Sequence, residues 1–151
     1  MARFAADADV LAADLLVGGP SREALDLARG HDWIELVASE RVLADAGAII
    51  ETLAADSLAA AWRDRIQDVV VLVSHPSDDH PGLASAVAGD ARHLLTLDDH
   101  LASASANVAL ADSVALSVRR PESFLSVFDV ESMYDVVVGG TYPGPDRDPR
   151  A

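Results

Sequence analysis

The chain contains no cysteine and no lysine, and its aromatics amount to two Trp, two Tyr and three Phe among 151 residues. Without cysteine, disulfides, thiolate metal sites and cysteine nucleophiles are excluded, and the cytoplasm is the expected compartment. No uninterrupted apolar run approaches the roughly 18 residues of a membrane helix, so no membrane partner is expected. The opening MARFAADADVLAADLL carries acids inside its apolar stretch and no small-residue cleavage pattern, so it is not read as a secretory leader.

The absence of lysine leaves 11 basic residues, all arginine, against 25 acids, for a net charge of −14. An acidic, lysine-free, alanine-rich surface points to a halophilic cytoplasm. At about 1 M salt the Debye length falls to roughly 3 Å, so much of the self-repulsion is screened. In dilute buffer the same charge opposes nucleic acid, whose phosphates are met by cations. Molar salt weakens that objection without supplying evidence for binding.

The length suits one domain with a proper core. Short apolar runs alternate with helical patterns. Strands are expected within Phe4–Leu11, at 33–39, at 69–74 as a run buried on both faces, at 93–97 and at 113–118. Helices are expected after the Gly18-Gly19-Pro20 turn, from Ser39 to about Ile66 in one or two pieces, at Pro81–Gly89, at Asp99–Ser105 and from Pro121. This alternation predicts a three-layer α/β/α domain with a mainly parallel central sheet over residues 1–130. Residues 131–151, ending GGTYPGPDRDPRA, are expected as a flexible tail.

Ligands of a parallel sheet bind at the C-terminal ends of its strands. Asp7 and Asp9 fall at the end of the first strand, Asp78 and Asp79 follow the third, and Asp98 and Asp99 follow the fourth. Asp45 lies one and a half turns into the helix beginning near Ser39. Converging carboxylates raise each other's pKa unless a cation intervenes. Oxygen donors with few competing nitrogen or sulfur ligands suit Mg²⁺ or Mn²⁺, which activates water and neutralises charge in phosphoryl chemistry.

Four stretches in order resemble the PIN-domain family, whose members include toxin ribonucleases of toxin–antitoxin pairs. They are RFAADADVLAADLLVGGPSREALDLA, SERVLADAGAII, DHPGLASAVAGDARHLLTLD and RRPESFL, together spanning roughly residues 3 to 128. The resemblance implies a PIN-like fold, Mg²⁺ or Mn²⁺ as cofactor, and hydrolysis of RNA by metal-activated water. It places the acidic cluster on Asp7, Asp45, Asp79 and Asp98, supported by Asp9, Thr96 and Ser39. Asp45 stands where the family more often has Glu, Asp9 where Asn is usual, and Gly82 where a bulky apolar residue is usual. An antitoxin protein and a homodimer are the implied partners, with the LAAAW segment (58–62) as the expected dimer face.

Other chemistries have less in their favour. His75, His80 and His100 lack a fixed helical spacing for a metal site. No Gly-x-Ser-x-Gly elbow and no phosphate loop occurs. Arg63, Arg65, Arg119 and Arg120 read as solvated arginines before they read as phosphate contacts. The second functional reading is a PIN-like scaffold that binds RNA or a protein without cleaving.

Overall fold

The computed structural model describes residues 1–103 and 116–150. Five strands form one parallel sheet: β1 (Ala2–Ala6), β2 (Ile34–Ser39), β3 (Val70–Val73), β4 (His93–Leu95) and β5 (Ser117–Arg119), in the order β3-β2-β1-β4-β5. Among the described residues seven helices flank it: α1 (Ala8–Leu16), α2 (Gly19–Gly30), α3 (Glu40–Leu53), α4 (Asp56–Ile66), α5 (Pro81–Ala88), α6 (Pro121–Val127) and α7 (Val130–Val137). The fold is the three-layer α/β/α arrangement that the alternating pattern predicts.

The period-two alternation of strand side chains divides the core into two layers. Phe4, Ala6, Leu36, Ala38 and Leu95 join the larger cluster with α1, α2 and α3. Their neighbours Ala5, Val37, Leu94 and Val118 point the other way, into a smaller cluster containing Ala86 of α5. The second layer is thin, and Gly89 shows how thin. A Cβ at Gly89 would lie 2.3 Å from Cγ1 of Val37, so only a residue without one lets this turn settle on the sheet. Gly89→Ala is expected to cost about 1–3 kcal/mol, the range for overpacking a filled core. Urea unfolding in molar KCl measures it, and an unchanged midpoint would show that the turn yields freely.

Several elements depart from expectation. The first strand ends at Ala6, not Leu11, because Asp7 caps α1 and turns the chain into helix. The helical stretch after Ser39 is two helices, broken at Ala54 and Ala55. The run at 69–74 is not buried on both faces. Among the described residues β3 is an edge strand paired only with β2, and Leu72 is 52% exposed. An apolar run carries no information about whether its strand will be central or peripheral. Parts of the helix expected at Asp99–Ser105 and of the strand expected at 113–118 lie outside the described residues.

The C-terminal segment differs most from expectation. Residues 131–151 carry most of α7, and beyond it the chain docks on the end of α2. Tyr142 Oη lies 2.6 Å from His31 Nε2. Asp146 accepts the Asp32 N–H, while Arg147 donates to the carbonyls of Ala28, Arg29 and His31. Pro, Gly and charge mark this segment as irregular, but irregular backbone that finds hydrogen-bond partners can still be ordered.

Candidate functional site

The C-terminal edge of the sheet gathers acids from β1 and β4. Asp7 follows β1 and caps α1, its Oδ1 accepting the Ala8 N–H at 3.0 Å. Its backbone N–H donates to the Leu95 carbonyl, which ties it to the end of β4. Its Oδ2 accepts the hydroxyl of fully buried Thr96 at 3.3 Å. The same Thr96 oxygen accepts the backbone N–H of Asp98 at 3.1 Å. One hydroxyl therefore links the first acid to the main chain carrying the fourth. The exposed Asp98 carboxylate also accepts the N–H groups of His100 and Leu101.

Asp9 lies two residues further along, in the first turn of α1, and is the strained member of the group. Its Oδ2 accepts the Leu97 N–H at 3.2 Å, but its Oδ1 is buried with no partner among the described residues. Burial raises its pKa above the ordinary carboxylate value, and the neighbouring charges of Asp7 and Asp98 raise it further. A carboxyl group whose folded pKa exceeds its unfolded one disfavours the folded state as pH rises through that interval. Asp9→Asn is therefore expected to raise the metal-free melting temperature at neutral pH. The gain should vanish as pH falls towards 4 and Asp9 itself becomes protonated. A gain independent of pH would show that charge is not its source.

The remaining expected residues are placed differently. Ser39 ends β2 and caps α3 by accepting the Val42 N–H at 3.2 Å. Asp45 points to Arg41 one turn back, with both carboxylate oxygens 3.1 Å from its Nε. The structure thus gives Asp45 a surface ion pair and no contact with Asp7, Asp9 or Asp98. Asp79 is exposed in the loop before α5, at the same sheet edge, also without a side-chain contact to those three. Asp99 pairs with Arg120, and no side-chain contact is described for Asp78.

Two histidines enter where acids alone were expected. His75 Nδ1 lies 2.8 Å from the Pro76 carbonyl, which can only accept. The neutral ring then has a free Nε2, and the Ser39 hydroxyl 2.9 Å away donates to it. His80 caps α5 by accepting the Leu83 N–H at Nδ1, leaving its proton on Nε2, 3.9 Å from Asp7 Oδ2. Gly82 is what permits this approach, since a Cβ there would stand 3.0 Å from Asp7 Oδ1. No regular spacing announces these histidines. The signal was the placement of His80 directly before a proline-initiated helix.

Among the described residues no group of three or more His, Asp and Glu side chains is arranged to hold one metal ion. The donors at the strand ends still suit a hard divalent cation held by few direct ligands. Mg²⁺ keeps several of its waters and is often held through one or two carboxylates. The partnerless Oδ1 of Asp9, flanked by two further carboxylates, is where positive charge is missing. Asp7 and Asp98 are the acids whose charge acts on that oxygen's carboxyl group.

Fold and site together define an α/β protein with a five-stranded parallel sheet and a carboxylate-lined C-terminal edge. The chain belongs to DUF7384, a family of unknown function, whose model matches residues 1–150. No curated protein and no solved structure matches it. Among the described residues no helix is long and apolar enough to cross a membrane.

Proposed function

We propose that the protein is a metal-dependent ribonuclease of PIN-like type, working in a cytoplasm of high salt. Its substrate is RNA, and its role is that of the toxin in a toxin–antitoxin pair. What carries the reading is the uncompensated negative charge at the strand ends, where Asp9 keeps a buried oxygen without a donor beside Asp7 and Asp98.

In this reading Asp7, Asp9 and Asp98 hold Mg²⁺ or Mn²⁺, directly or through water, with Asp79 and Asp45 as further acids reached by side-chain movement. Such an ion, when bound, would supply water activation at neutral pH and charge neutralisation at a phosphodiester. The chain's own part is orientation. Thr96 fixes the Asp7 carboxylate and the Asp98 main chain together, and the α1 cap keeps Asp7 from rotating away. The His80 Nε2–H faces Asp7 from the start of α5.

Structured RNA incubated in molar KCl is expected to be cleaved with Mn²⁺ and left intact with EDTA. Retained RNA binding without cleavage under both conditions would transfer the protein to a second reading, a PIN-like scaffold for RNA or a protein partner. The Asp45–Arg41 pairing is the observation favouring that alternative, because it engages one of the expected acids elsewhere. A second copy of the chain is the other partner in the proposal. Ala59 and Trp62 of the expected dimer face are buried within the domain, which leaves Leu53 and Leu58 exposed where α3 meets α4.

A further inference from the structure

A large cavity lies at the other end of the molecule. It is lined by the last turn of α1, by α2, by α4 with the two residues before β3, and by the C-terminal segment. α1 runs between the two places. Asp7 caps its start and Leu15 in its last turn lines the cavity, a separation of about 12 Å along the helix axis. The cavity volume is about 780 Å³, within the roughly 300–1,000 Å³ of small-molecule sites.

Its charge is unlike that of the rest of the protein. Arg22, Arg29, Arg65, Arg147 and Arg150 line it against three aspartates, in a chain whose net charge is −14. Two of these arginines are neutralised: Arg29 by Asp14 and Asp26, and Arg150 by Asp26. The other three have no carboxylate partner among the described residues. Arg22 donates to the carbonyls of Asp14 and Leu15, and Arg147 to those at the end of α2. Carbonyl oxygens satisfy their N–H groups and leave the positive charge, offset only in part by the helix ends. Arg65 makes no side-chain hydrogen bond or ion pair among the described residues. Of the lining aspartates, Asp14 is committed to Arg29, Asp148 accepts the backbone N–H of Arg150, and Asp68 makes no side-chain contact there.

The second observation is Trp62. It lines the same cavity, is only 6% exposed, and its indole N–H is buried with no acceptor among the described residues. Buried indole N–H groups ordinarily find a partner. Leu15, Leu58 and Ile66 supply apolar wall beside it. Unspent positive charge, a waiting donor and an apolar wall describe one kind of guest.

We propose that this cavity is a second binding site, taking a small organic oxyanion with an apolar body. The oxyanion meets Arg65 with Arg22 and Arg147 behind it, the apolar body lies along α4, and an oxygen accepts the Trp62 N–H. The site is independent of the carboxylate edge, and its test requires no nuclease activity.

The probes are anilinonaphthalene sulfonate, which joins an oxyanion to an apolar body, and phenylnaphthylamine, its uncharged counterpart. Fluorescence titration of the full chain, at the lowest KCl concentration that keeps it folded, is expected to give saturable one-to-one binding of the sulfonate. Its affinity should exceed that of the neutral dye by about tenfold, the scale of one charge-assisted contact. Arg65→Ala should abolish that preference and leave the neutral dye unaffected. Because Arg65 is exposed and makes no side-chain hydrogen bond or ion pair among the described residues, this variant remains informative should Trp62→Phe, also expected to weaken sulfonate binding, be too unstable to measure. Equal affinity of the wild type for both dyes, or undiminished sulfonate binding by Arg65→Ala, overturns the proposal.

Discussion

Asp7→Asn is expected to lower metal-dependent RNA cleavage by on the order of 10²–10³-fold, the loss typical when a group acting on transition-state charge is removed. The substitution is nearly isosteric. Asn still caps α1 through the Ala8 N–H and can still meet the Thr96 hydroxyl, so the fold should hold. What disappears is one negative charge beside Asp9 and Asp98, and with it much of the attraction for a divalent ion. Initial cleavage rates at saturating Mn²⁺, read beside urea unfolding curves of the same preparations, separate lost chemistry from lost structure. Wild-type cleavage by the variant would remove Asp7 from the site and leave the nuclease proposal without its centre.

The second large effect concerns stability. Asp14 is 4% exposed and forms a bidentate pair with Arg29, Nη1 lying 2.8 Å from Oδ1 while Nη2 engages Oδ2. Arg29 in turn reaches Asp26, and Arg150 approaches Asp26 from the C-terminal segment. The pair fastens α1 to α2, and the network extends to the end of the chain. Asp14→Ala is expected to destabilise the protein by about 3 kcal/mol, the low end for breaking a buried pair, because only Asp26 is left to meet a largely buried guanidinium. Molar salt screens such a buried pair much less than surface ones, so the loss should persist in high KCl. Replacing both partners by apolar residues, as in Asp14→Leu with Arg29→Met, should recover much of it. Urea midpoints of the three proteins test this, and a double variant no better than Asp14→Ala would show that the pair's own attraction outweighs the desolvation of its charges.

Much of the architecture is legible in the chain because it follows from local rules. Ser39 before a helical pattern, Pro81 and Pro121 at first helical positions, and the paired glycines 18 and 19 with φ of +84° and +58° each mark a boundary where the structure has one. The acids at the ends of β1 and β4 are legible for a similar reason. In a parallel sheet, the residue after a strand must lie at the shared edge. Asp45 shows the limit of that reasoning. Its helix begins at the right edge, but Arg41 four residues earlier competes for its carboxylate, and that contest is settled by rotamers. His80 was hidden for the opposite reason: its place before Pro81 marks a helix cap, but not that Gly82 lets α5 come within reach of Asp7.

Composition and pattern were enough to establish an acidic, cysteine-free α/β domain with carboxylates following two of its strands. These properties depend on residue type and on periodicities of two and 3.6, which the order of amino acids carries directly. Long-range assembly alone made β3 an edge strand, docked the last residues onto α2, buried the oxygen of Asp9 and collected five arginines along the cavity that Trp62 also lines. Each of those outcomes depends on which distant segments come to share a surface, and so on packing that no local stretch of chain encodes.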